Sequence, residues 1–86
     1  MNADILYRRA VLAQLEAAYP AGLPSGTIAQ GLALAGFSSD AAELERQLQY
    51  LREKQFAESV SSALCPSFVR TKITARGLDY LQSGEF

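Results

Sequence analysis

Apolar residues recur at intervals of three and four through the first half of the chain, and the interval shortens to two near position 56. That change of period predicts helices first and strands after. Ala3 to Tyr19 reads as a first helix, with Ile5, Leu12, Leu15 and Tyr19 on one face and Val11 and Ala18 beside them. Arg8 lies early on the same face, where its stem can pack while its charge stays wet. Pro20-Ala21-Gly22-Leu23-Pro24 ends the helix, because proline cannot continue it and glycine tolerates the turn. Ser25 is the expected N-cap of a second helix reaching Leu34 or Ala35, with Ile28, Ala29, Leu32 and Ala35 at helical spacing. Gly36 is placed to end it in the left-handed conformation.

Phe37-Ser38-Ser39 forms the next turn, and Ser39 or Asp40 caps a third helix. Asp40 and Glu43 have the capping-box spacing, with acids at the positive end of the helix dipole. Leu44, Leu48 and Leu51 then mark the core face, and Lys54 falls in the last turn, where a cation suits the dipole. Beyond this helix, Phe56 to Val60 reads as a short strand and Phe68 to Ile73 as a stronger one. In the latter Val69, Thr71 and Ile73 share a face opposite Phe68, Arg70 and Lys72. Ser61 to Ser67 connects them, kept irregular by Pro66. Thr74 caps a last helix that turns Leu78 and Leu81 inward, ended by Ser83-Gly84.

At 86 residues, 49% of them hydrophobic and 20% charged, the chain has the composition of one globular domain covering 1–86. No apolar run approaches the ~20 residues of a membrane span, and the N-terminus has no basic region followed by an apolar block. The expected setting is therefore the cytoplasm. One cysteine and no histidine exclude an internal disulfide, a zinc site and a histidine general base. No cofactor and no enzymatic activity are expected. Cys65 reads as a small apolar residue, since only Arg70 and Lys72 are placed to lower a thiol pKa.

Two segments carry a resemblance: Tyr50-Leu51-Arg52-Glu53-Lys54-Gln55-Phe56 and Ile73-Thr74-Ala75-Arg76-Gly77-Leu78-Asp79-Tyr80-Leu81. Together with the order helix, helix, helix, strand, wing, strand, helix, they resemble the winged helix-turn-helix superfamily, as found in small prokaryotic and phage transcription regulators. The resemblance covers nearly the whole chain. It implies an α+β fold: a three-helix bundle, a two- or three-stranded antiparallel wing hairpin and a short C-terminal helix.

It further implies duplex DNA as the partner, with the helix at 39–54 in the major groove and the wing on the backbone. On this sequence Arg46 suits guanine, Gln49 suits adenine and Tyr50 a phosphate, while Arg70, Lys72 and Arg76 would hold the backbone. No acid occurs between positions 59 and 78. A homodimer reading two half-sites is expected, with Leu6, Ala10, Ala13 and Ala17 as a candidate seam along the first helix.

The charge pattern keeps a second reading open. The chain carries a net charge of −1 with a pI near 5.3, whereas DNA-binding domains are usually basic. Asp40, Glu43, Glu45 and Glu53 outnumber Arg46, Arg52 and Lys54 along the third helix, and the wing tip Ala63-Leu64-Cys65-Pro66 is apolar. These features suit a winged helix that binds a protein partner through Leu64.

Overall fold

The computed structural model describes residues 3–38, 40–61, 63–65 and 67–83. Its elements follow the predicted order: α1 (Ala3–Ala17), α2 (Ser25–Leu34), α3 (Ala41–Glu53), β1 (Ala57–Ser61), β2 (Val69–Ile73) and α4 (Ala75–Ser83). The core forms where the three leading helices meet the base of the hairpin. Val11, Leu12 and Leu15 of α1 pack with Ile28 and Leu32 of α2, with Leu44, Leu48 and Leu51 of α3, and with Ala57 and Ile73 of the strands.

The inner face of α1 is rotated slightly from the predicted one. Tyr7 is buried in it, its ring edge-on to Phe37 at 5.9 Å, whereas Tyr19 lies beyond the helix end and is 50% exposed. Tyr7, Val11 and Leu15 repeat every four residues, so the signal was present but masked by the polar hydroxyl. α2 also starts differently: Pro24 occupies the N-cap in extended conformation and Ser25 is already helical. Proline presets the extended entry, and its carbonyl accepts from Thr27 and Ile28, so no side-chain cap is involved.

Two helix ends share one device. Gly36 has φ +89°, and the amides of Gly36 and Phe37 donate to the carbonyls of Ala33 and Leu32. At the end of α3, Gln55 adopts φ 66°, and the amides of Gln55 and Phe56 donate to Arg52 and Leu51. Both are Schellman closures, but only the first has the glycine that the left-handed residue favours. The second turns the chain from α3 directly into β1.

The strands pair antiparallel with Ala57 opposite Ile73 and Ser61 opposite Val69. Among the described residues, one further bridge joins Leu23, between α1 and α2, to Thr71 through two backbone hydrogen bonds of 2.8 and 2.9 Å. Thr71 is buried, and this backbone pairing adds to the core contacts of Ala57 and Ile73 in holding the hairpin to the helical body. Thr74 anchors α4 as predicted: its hydroxyl accepts from the amide of Gly77 at 3.0 Å and donates to the carbonyl of Gln55 at 2.7 Å. Leu78 and Leu81 pack against the core, as does Tyr80, whose ring stacks on Phe56 at 4.3 Å. Ser39 as a candidate cap, Pro66 in the irregular connection and Gly84 at the end of the last helix lie outside the described residues.

Candidate nucleic-acid interface

α3 is held at its start by Asp40, whose carboxylate accepts from the amide of Ala42 at 2.8 Å. Glu43 has capping-box spacing but does another job. The amide of Asp40 is taken by the hydroxyl of Ser38, and the Glu43 carboxylate accepts from Arg46 on one oxygen and from Gln47 on the other. Those two hydrogen bonds hold the Glu43 carboxyl below the usual carboxylate range, with Arg46 as the larger cause.

The rest of α3 divides into three sides. Leu44, Leu48 and Leu51 face the core, and Gln47 joins them at 1% exposure. Arg46, Gln49 and Glu53, spaced three and four apart, share the outward side, and all three are exposed. Two acids on the helix are neutralised within it, Glu43 by Arg46 and Glu45 by Arg52 at 3.3 Å. Glu53 makes no ion pair among the described residues. Gln49 accepts from Arg52 at 3.4 Å.

The third side of α3 faces α1, and there the sequence reading missed a polar joint. Gln47 accepts at Oε1 from Nε of Arg8 at 2.7 Å. Its Nε2 donates to Asp4 at 3.1 Å and to Glu43 at 3.0 Å. Arg8 also lies over the Tyr50 ring, its Cζ 3.7 Å from the centroid, with Lys54 near the same ring at 5.8 Å. Tyr50 therefore sits on the flank against α1 with its ring covered by a cation, while remaining 37% exposed. Spacing alone hinted at this: Gln47 falls three after Leu44 and four before Leu51, a core position in everything but residue type. Burial pushes the Tyr7 phenol up, helped by the charges of Glu43 and Asp40.

On the hairpin, residues directly opposite one another share a face, so Glu58 and Val60 stand beside Lys72 and Arg70. Lys72 pairs with Glu58 at 3.4 Å, and Arg70 is exposed with its guanidinium 5.4 Å from the Phe68 ring. Arg76 belongs to a different group of contacts, on α4 over the Phe56 ring at 5.5 Å. Val60, Ser61, Phe68, Cys65, Ala21 and Arg70 line a shallow groove of about 450 Å³, and Leu64, next to Cys65 in the chain, is 98% exposed. Along the proposed seam of α1, Leu6 is 41% exposed and Ala13 and Ala17 are exposed, whereas Ala10 packs against the core. Among the described residues, no helix is long and apolar enough to cross a membrane.

No protein-family model and no curated protein matches the chain. Solved structures do match its fold. A mutant of S. aureus MepR bound to an oligodeoxyribonucleotide superposes with a TM-score of 0.76 at 18% identity, over 90% of this chain and 52% of that one. A second MepR mutant gives 0.74 at 18% identity, over 88% and 51%. A probable transcriptional regulator from Pseudomonas aeruginosa gives 0.66 at 16% identity, over 87% and 52%. The chain spans about half the length of these structures. The fold is that of the winged helix-turn-helix, as the two sequence segments implied.

Proposed function

We propose that this chain is a duplex-DNA-binding module of a transcription regulator, with no enzymatic role. α3 enters the major groove through Arg46 and Gln49, and Arg70 and Lys72 of the hairpin, with Arg76 of α4, meet the phosphate backbone. The observation that carries this reading is the superposition of 90% of the chain on a protein solved with an oligodeoxyribonucleotide. Two features of the charge distribution support it. On the outward side of α3, Arg46 and Gln49 stand with Glu53, while Glu43 and Glu45 are held in ion pairs with Arg46 and Arg52. The segment from Ser59 to Leu78 carries cations and no acid.

Fluorescence anisotropy with a random-sequence duplex tests the reading. Binding at low salt that weakens steeply as salt is added is the expected result, since each neutralised phosphate releases counterions. Absence of binding at the lowest salt would end it.

A second reading, a protein-docking module, draws on the groove and on the fully exposed Leu64. A partner lost on Leu64→Asp but kept on Arg46→Ala would favour it, and the reverse pattern would reject it.

A further inference from the structure

Arg8 stands on α1, outside the elements assigned to the duplex, yet its guanidinium is turned toward α3. Only 24% of its side chain is exposed. Its Nε is given to Gln47 at 2.7 Å, its plane lies over Tyr50 at 3.7 Å, and a terminal nitrogen stands 4.0 Å from Asp4. Gln47 and Tyr50 are three residues apart and so adjacent on one flank of α3. A single rigid plane therefore grips two neighbouring positions of the helix. That arrangement is satisfied at one rotational setting, since residues three apart on a helix lie about 60° from one another around its axis.

The setting is passed outward. Gln47, 1% exposed, has its amide oxygen on Arg8 and its amide nitrogen on Asp4 and Glu43. The other carboxylate oxygen of Glu43 holds Arg46. A chain of contacts thus runs from Arg8 through Gln47 and Glu43 to the outward-facing arginine.

We propose that Arg8 is a positioning residue: through Gln47 and Tyr50 it sets the rotation of α3, and with it the aim of Arg46, without touching DNA itself. This rests on the duplex-binding reading above. Lysine cannot replace it, because an ammonium has neither the Nε donor nor the flat face that covers Tyr50.

The test compares Arg8→Lys and Arg8→Met with the wild type and with Arg9→Met as a control, folding being checked by circular dichroism. Each is titrated by anisotropy against a duplex selected by the wild type from a random pool, and against the pool itself, over a salt series. Both Arg8 variants should weaken binding to the selected duplex roughly tenfold, the scale of losing good base contacts. Affinity for the random pool and the salt slope should stay as in the wild type, and Arg9→Met should leave the preference for the selected duplex over the pool unchanged.

A salt slope reduced by about 1, with Arg8→Lys restoring affinity, would mean a phosphate contact and overturn the proposal. Unchanged affinity for the selected duplex would overturn it, as would a parallel loss on selected and random DNA. A wild type that binds no duplex overturns the functional reading and this inference together, an outcome separate from any loss confined to the variants.

Discussion

Arg8 of α1 and Gln47 of α3, 39 positions apart in sequence, are joined by a 2.7 Å hydrogen bond at the edge of the core. The bond fills the amide oxygen of a side chain that is almost wholly buried, while Asp4 and Glu43 fill its nitrogen. A buried amide with every partner made is well tolerated; one that loses a partner is not.

Replacing Gln47 by Leu should therefore destabilise the fold despite the gain in hydrophobicity. The Arg8 Nε is left without its acceptor, at a cost of about 1–3 kcal/mol. Urea unfolding followed by circular dichroism measures it, and a variant as stable as the wild type would show the joint to be energetically idle.

The two Schellman closures predict opposite responses. Gln55 holds φ 66° without being glycine, so Gln55→Gly should stabilise the protein by about 0.5–1 kcal/mol. Gly36, at φ +89°, meets no neighbour that an added methyl would touch, so Gly36→Ala isolates the backbone strain and should cost about 1 kcal/mol. Thermal melts of the pair read both signs.

Gly77 and Gly31 separate in the same way. A Cβ on Gly77 would run into the carbonyl oxygen of Phe56 and the side chain of Ile73. Backbone cannot give way there, and Gly77→Ala should cost about 1–3 kcal/mol although alanine favours helix. At Gly31 the obstacle is only the end of the Gln14 side chain, which can swing aside by releasing its 3.2 Å bond to the Ile28 carbonyl. Gly31→Ala should stay within about 1 kcal/mol of the wild type.

Glu53 offers the most direct test of the electrostatic argument. It shares the outward side of α3 with Arg46 and Gln49 and has no ion-pair partner among the described residues. Glu53→Gln should strengthen duplex binding several-fold at low salt and less at high salt. Arg70→Ala should weaken binding across all sequences and lower the salt slope by about 1. Anisotropy over a salt series distinguishes the two.

Glu43 gives a pH prediction. Its folded-state pKa lies below the ordinary carboxylate value, so its pairing stabilises α3 above that value and is lost as pH falls through the lowered one. In a carboxyl-detected NMR titration, Arg46→Ala should move the Glu43 midpoint back up, because Arg46 is the larger cause of the depression.

Several features were legible in the residues themselves. Leu44, Leu48 and Leu51 specify the inner face of α3, Gly36 its preceding turn, and Thr74 the start of α4. Each follows from local rules: helical spacing, the left-handed preference of glycine, and a hydroxyl that accepts from the amide three residues on. The candidate DNA-facing residues were legible in part. Arg46 and Gln49 emerge on the outward side of α3 as their spacing implied, whereas Tyr50 is gripped on the flank and Arg76, on α4, lies over the Phe56 ring.

By itself, then, the sequence determined the order of elements and most of the core, because hydrophobic periodicity is a property of neighbours along the chain. Only the tertiary structure decided which charges are spent and which are free. Whether Arg8 points to solvent or packs on α3, and whether Gln47 is exposed or buried, depends on partners from another element, for Arg8 Gln47 and Tyr50 of α3 and for Gln47 Arg8 and Asp4 of α1. The polar face of a helix is written in local spacing; what each polar group bonds to is set by packing between helices, which spacing does not encode.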